Sequence, residues 1–203
     1  GAIATANYNA RKFGVKSGIP IMVAKNKLKE QDAVFLPADF DYYSDMSSKG
    51  MEIIEKYADV FEYVGRDEAY LDVTKKTEMS FDNAEHLAQQ LKNEIRNSLK
   101  LTCSIGISPN KLLSKIASDF KKPDGLTTVK PEQVEQFLSP LKIREIPGIG
   151  KKTEDVFTQM DIHIIEELRK IDVFDLNKMF GRKTGGYIFN SAKGIDTEIV
   201  KER

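Results

Sequence analysis

The stretch Val64-Gly65-Arg66-Asp67-Glu68-Ala69-Tyr70-Leu71-Asp72-Val73 places two adjacent carboxylates between two apolar runs. Val60, Phe61, Tyr63 and Val64 lie before the acids and Tyr70, Leu71, Val73 and Thr74 after them, residue types that suit strands. If the runs pair, Asp67 and Glu68 stand at the rim of a sheet. Neighbouring strand residues point to opposite faces, so a metal ion shared by both acids requires a twist or bulge, which Gly65 would permit. An ordinary hairpin end also carries charge, so the pair gains meaning only from its surroundings.

Downstream, Asp82-Asn83-Ala84-Glu85 reads as a capping box. Phe81, Ala84, Leu87, Ala88, Leu91, Ile95 and Leu99 recur on one face of a helix reaching about residue 99. Leu101 to Ile107 alternates large apolar with small or polar residues, predicting a strand with one buried face. Cys103 shares that face and reads as core packing. Ser108-Pro109-Asn110 caps a predicted helix over Lys111–Phe120, and Lys122-Pro123-Asp124-Gly125 stops it before a strand at Leu126–Val129. The lysines at its C-terminus complement the helix dipole and need no phosphate to explain them.

Upstream, a short strand near Ala2–Ala4 is expected to lead into a helix at Tyr8–Phe13 that stops at Gly14. Thr5, Tyr8 and Arg11 recur at three-residue spacing, so they share a face if that turn is helical. A hydroxyl, a phenol and a guanidinium make a phosphate grip, and equally the start of an ordinary amphipathic helix. A second helix is predicted over Ala24–Lys29, followed by an apolar run at Ala33–Leu36. The acidic and aromatic cluster Asp39-Phe40-Asp41-Tyr42-Tyr43 precedes helix-periodic residues from Tyr43 to Tyr57, so its acids read as helix starters rather than metal ligands.

From Lys130 the pattern turns to short helical segments. Ile146-Pro147-Gly148-Ile149-Gly150-Lys151-Lys152-Thr153 lies between two of them. Gly148 and Gly150 let the backbone approach a ligand, amides at the next helix start can face a phosphate, and Lys151 and Lys152 add charge. Those features suit sequence-independent contact with a DNA backbone, beside the plainer role of a tight helical corner. Gly181-Arg182-Lys183-Thr184-Gly185-Gly186 is a weaker instance of the same pattern.

The chain has 203 residues, 40% of them hydrophobic, which suffices for one large or two modest cores. Its 31 basic residues balance 31 acidic ones, so nucleic-acid binding must rest on local clusters rather than net charge. No apolar run has the length of a membrane span, and no signal peptide is evident. One cysteine cannot form an internal disulfide, which fits a reducing, cytoplasmic setting. His86 and His163 stand alone, without metal-ligand spacing.

Together these segments resemble the Y-family, DinB-class translesion DNA polymerases over almost the whole chain. The resemblance is carried by Ala4-Thr5-Ala6-Asn7-Tyr8, Ala10-Arg11-Lys12, Gly14-Val15-Lys16, Asp67-Glu68-Ala69-Tyr70-Leu71-Asp72 and Gly106-Ile107-Ser108 with Asn110-Lys111. Lys115-Ile116-Ala117-Ser118-Asp119, Lys122-Pro123-Asp124-Gly125 and Ile146–Gly150 complete it. It implies an α+β fold: partial fingers over residues 1–38, a palm with a mixed β-sheet and packed helices over 39–129, and a helical thumb with a helix-hairpin-helix over 130–203.

By the same resemblance Asp67 and Glu68 hold two catalytic Mg²⁺ ions, while Thr5, Tyr8, Arg11 and Lys122 grip the incoming triphosphate. The implied reaction is nucleotidyl transfer from a dNTP to a primer 3′-hydroxyl across damaged template. Primer-template DNA and a sliding clamp, reached through a further C-terminal segment, are the implied partners, with no membrane. The family also has a first strand with another metal-binding Asp and a sugar-screening aromatic, which would precede Gly1, and a little-finger domain, which would follow Arg203. The expectation is therefore a fragment with little or no polymerase activity of its own. Gly65-Arg66 departs from the family's Ser and aliphatic residue, leaving open whether Arg66 pairs with a carboxylate or faces solvent. The rival reading is a non-catalytic DNA-binding or scaffolding protein that keeps the helix-hairpin-helix.

Overall fold

The computed structural model describes residues 1–202, and the chain parses into two compact units, Gly1–Asp45 and Met46–Arg203. In the first, helix α1 (Tyr8–Lys12) starts at Asn7, whose side chain accepts the Ala10 amide at 2.9 Å, satisfying an otherwise orphaned donor. The strand expected at Ala2–Ala4 shrinks to an isolated bridge between Ala2 and Pro20, because Pro20 has no amide with which to extend a ladder. Helix α2 (Ile21–Lys27) starts and ends earlier than the Ala24–Lys29 expected from the sequence. Val15, Ala24 and Leu28 form a small core, while Val34 and Leu36 are exposed and no regular element forms around them. Helix α3 (Phe40–Glu55) starts as its sequence predicts: Asp39 Oδ1 accepts the Tyr42 amide at 3.0 Å.

Within the second unit, β1 (Val60–Gly65) and β2 (Glu68–Asp72) form an antiparallel hairpin. β3 (Ile105–Ile107) and β4 (Leu126–Thr128) form a parallel pair. The mixed strand directions are present, in two ladders each two strands wide. Helix α4 (Phe81–Leu99) is capped by Ser80, which accepts the Asn83 amide, rather than by Asp82. Asp82 sits in the first turn and pairs with Lys130 at 3.1 Å. The buried α4 residues Leu91 and Ile95 pack with Ile53, Leu71, Cys103 and Ile105. Burial pushes the Cys103 thiol pKa up, as befits a packing residue. The strand predicted from Leu101 is paired only from Ile105, because the Cys103 carbonyl is taken by a buried lysine, Lys92, at 2.6 Å.

Helix α5 (Lys111–Phe120) has the predicted bounds. Asn110 accepts the Leu113 amide at 3.0 Å, and Asp196, from far along the chain, accepts the Leu112 amide at 3.1 Å. Leu112, Leu113 and Ile116 enter a core shared with Leu138, Ile146, Phe157, Leu168 and Leu176. Each such burial is worth about 1.5–3 kcal/mol. The opposite side of α5 lies so close to β3 that a Cβ on Gly106 would stand 2.1 Å from the Ser114 carbonyl oxygen and 2.5 Å from the Ser118 nitrogen. Only glycine fits there.

Helices α6 (Val134–Leu138), α7 (Lys151–Gln159), α8 (Ile165–Leu168), α9 (Val173–Phe180) and α10 (Arg182–Ala192) complete the unit. In the glycine run 181–186, Gly181 has φ +81° and starts α10, and Gly185 lies inside that helix. A Cβ on Gly185 would fall 2.6 Å from the Asn177 amide nitrogen, so this glycine lets α10 pack against α9. After α10 the chain returns to the hairpin side. The Asn110 side chain donates to the Gly194 carbonyl at 2.9 Å, and the Lys201 amide donates to Glu62 at 2.9 Å.

Candidate active site

Asp67 lies in the two-residue turn between β1 and β2, and Glu68 is the first residue of β2; both are exposed. The pairing register shifts between Tyr63 and Gly65, the bulge that two neighbouring acids need if they are to serve one site. Gly65 is not required by that backbone: its φ lies outside the left-handed region and a Cβ there would meet nothing. Arg66 is exposed and forms no ion pair among the described residues, and its carbonyl accepts a hydrogen bond from the Ser47 hydroxyl. The long cation beside the acids therefore faces solvent.

The hairpin is seated on α5 by two lysines one helical turn apart. Lys111 Nζ lies 2.9 Å from both Glu62 carboxylate oxygens and 4.8 Å from the centre of the Tyr70 ring, and both side chains of the pair are largely buried. One turn on, Lys115 donates to Glu68 and lies 3.4 Å from Asp119. Asp119 in turn pairs with Lys122 at 2.5 Å. Glu68, Lys115, Asp119 and Lys122 thus form a row of alternating charge leading from the hairpin rim to the lysine expected to hold phosphate. Burial tends to lower the Lys115 pKa, but the Glu68 and Asp119 carboxylates together overcome it and hold the ammonium above its usual range.

The sequence pointed to Glu68 and Lys122 but missed Lys115 and Asp119 between them. Their signal was spacing: Lys111, Lys115 and Asp119 recur every four residues along one side of α5, and Lys122 follows three residues on, just past the helix end. Thr5, Tyr8 and Arg11 belong to the first unit. Tyr8 opens α1 and the Arg11 guanidinium lies 5.1 Å from the centre of its ring. Thr5 precedes the helix, so helical spacing does not put it on their face. Arg11 Nε also donates to the Ala6 carbonyl at 2.9 Å, fixing its stem.

At the thumb turn Ile146 and Ile149 are buried, Gly148 has φ +83°, and Gly150 starts α7. Tyr187 donates its hydroxyl to the Pro147 carbonyl at 2.6 Å, bracing the turn from α10. Lys151 is exposed and pairs with Asp155 at 2.8 Å, and Lys152 is exposed.

Asp67 and Glu68 are hard oxygen donors of the type Mg²⁺ takes, and Glu68 is here paired with the Lys115 ammonium. Among the described residues no group of three or more His, Cys, Asp or Glu is arranged to hold a metal. The two acids fit the metal in kind and supply part of a coordination shell. No helix among the described residues is long and apolar enough to cross a membrane.

The second unit thus holds an acid-tipped hairpin, a lysine-bearing helix against it and a glycine turn braced from α10. Residues 1–119 match the impB/mucB/samB family and residues 144–196 match a thumb domain described for DNA polymerase-iota. The chain belongs to the impB/mucB/samB family, the Y-family, DinB-class polymerases. It is 69% identical over 204 residues to a DNA polymerase IV of Nitrosopumilus maritimus, covering all of this chain and 56% of that protein. A DNA polymerase IV of Methanosarcina acetivorans is 44% identical, with 57% of its length covered. Among solved structures, DinB from Sulfolobus solfataricus superposes with a TM-score of 0.92 at 38% identity, over 98% of this chain and 58% of that one. An insertion ternary complex of Dbh DNA polymerase superposes with a TM-score of 0.90, over 98% and 57%. The chain thus spans a little over half the length of these relatives.

Proposed function

We propose that this chain is the core of a translesion DNA polymerase that adds nucleotides from dNTPs to a primer 3′-hydroxyl. The observation that carries the reading is the charge row from Glu68 through Lys115 and Asp119 to Lys122, which joins carboxylates for a metal to a cation for phosphate. Fingers over residues 1–38, palm over 39–129 and thumb over 130–203 is the proposed division of labour.

Asp67 and Glu68 would hold Mg²⁺, which when bound supplies an activated primer oxygen and neutralises charge on the pyrophosphate. Lys122 and Lys115 place positive charge where the triphosphate gains negative charge during transfer, so they stabilise the transition state more than the bound nucleotide. Arg11, with Tyr8 beside it and Thr5 before the helix, supplies a planar fork for phosphate oxygens. Gly148, Gly150, Lys151 and Lys152 would contact primer-template DNA through its backbone, without reading sequence. A cytoplasmic location and a sliding-clamp partner for the whole protein belong to the same proposal.

Titration of residues 1–203 with dATP in the presence and absence of Mg²⁺ tests this. Binding is expected to need the ion and to weaken at least tenfold in Asp67→Ala, with thermal stability unchanged. Nucleotide binding indifferent to both Mg²⁺ and Asp67 would refute the metal-seat assignment. Primer extension by residues 1–203 alone is expected to be weak, since Asp67 and Glu68 are two of the three acids the family's site employs.

A further inference from the structure

The segment 121–125, which joins α5 to β4 and carries Lys122, is gripped from below by α4. Lys92 is 7% exposed. Its Nζ donates to the Asp124 carboxylate at 2.6 Å and reaches the carbonyl oxygens of Cys103 at 2.6 Å, Asp124 at 2.9 Å and Gly125 at 3.3 Å. One helical turn further, Arg96 pairs with the other Asp124 oxygen. Asp124 has φ +56°, a left-handed conformation that residues with a side chain seldom adopt. The next residue has no room for a side chain, since a Cβ on Gly125 would lie 2.5 Å from the Lys121 carbonyl oxygen. The Gly125 amide is held by the Ser104 hydroxyl at 3.0 Å.

Stability alone is a poor reason for this lysine. Burying an ammonium is costly, and apolar replacement of a buried ion pair is often neutral or stabilising. What a leucine at position 92 could not do is draw a carboxylate and carbonyls of two chain segments onto one point. Two of its partners are the residues that fix where the turn points, and Lys122 stands two residues before Asp124. Lys122 itself is half-exposed, with Asp119 as its partner, so the backbone beneath it sets its direction.

We propose that Lys92 and Asp124 are positioning residues for nucleotide binding: by pinning the 122–125 turn they aim Lys122 at the triphosphate of the incoming dNTP. This rests on the polymerase reading and extends it to side chains that never touch the nucleotide. The affinity of Mg²⁺·dATP for residues 1–203, measured for the unsubstituted chain, Lys92→Met, Lys122→Ala and the double variant, tests it. Lys92→Met is expected to weaken binding about tenfold, in the range seen when supporting contacts of a site are removed. The double variant is expected to bind no more weakly than Lys122→Ala alone, because Lys92 acts through Lys122. Without nucleotide, amide exchange at Gly125 is expected to quicken in Lys92→Met.

Additive losses in the double variant, or unchanged affinity in Lys92→Met, would overturn the proposal. If Lys92→Met does not fold, Asp124→Asn, which keeps shape and removes charge, must show the same non-additivity with Lys122→Ala at smaller size, and additivity there overturns it equally. Failure of the unsubstituted chain to bind Mg²⁺·dATP would instead remove the polymerase reading itself, a result visible before any variant is made.

Discussion

The two turns that frame the candidate site are built on opposite plans. At the 65–68 hairpin tip the backbone is held by strand pairing and a bulge, while Arg66 and Asp67 project into solvent. At the 122–125 turn the backbone departs from regular structure and is held from outside, by Lys92, Arg96 and Ser104. The difference follows from the work proposed for each. Carboxylates that take a metal can be drawn into place by the ion's own charge. A long, flexible lysine that meets a mobile polyphosphate gains more from a backbone already fixed, which lowers the ordering cost of binding.

Three substitutions press on that contrast. Gly106→Ala strikes both turns at once, because the new Cβ collides with the backbone of α5, which carries Lys115 and Asp119 between them. It is expected to cost about 3 kcal/mol or to prevent folding, read by denaturant unfolding; a stable, unperturbed variant would show that α5 is free to shift. Acid titration separates the turns. Lys92, and then Arg96, hold the Asp124 carboxyl below its usual range against the opposing effect of burial. That contribution is fully present above the unfolded Asp pKa of about 3.9 and disappears as pH falls through the lower folded value. Asp124→Asn is therefore expected to cost about 1 kcal/mol at neutral pH and to flatten the stability curve below about pH 4. An unchanged acid limb would mean that the turn is not held by charge. Smallest is Gly65→Ala, expected within about 0.5 kcal/mol of neutral, since the hairpin tip asks nothing special of its backbone. A large loss of thermal stability there would erase the distinction between the two plans.

Where local rules decide a segment, the sequence was sufficient. Asn110 and the apolar spacing of Leu112, Leu113 and Ile116 located α5, and Asp39 placed the start of α3. The errors fall where a distant residue intervenes. The β3 strand begins four residues late because Lys92 claims the Cys103 carbonyl, and the α4 cap moved from Asp82 to Ser80, two residues that are both able caps. Lys92 belongs to no motif, and its residue type alone suggests a solvated side chain. Its position told otherwise: it lies four residues after Ala88 and three before Ile95, on the buried face of α4. A lone cation on an apolar stripe marks a place where the backbone of another segment must be reached. The place of Asp67 and Glu68 at a hairpin rim was legible, while Lys115 and Asp119 were not, because spaced charges on a helix usually mark a solvated face.

Asp196 gives the order of events in folding a consequence for the site. The first turn of α5 gains its last amide partner from a residue 84 positions downstream, and closing so long a loop is slow relative to coiling a helix. The Leu113 and Ile116 side of α5 is free to condense early with its neighbours, whereas its opening turn is expected to fray until the Asp196 segment docks. The platform under the acids is thus expected to be completed only after the helices that follow it have assembled, which amide exchange at Leu112 during refolding would show.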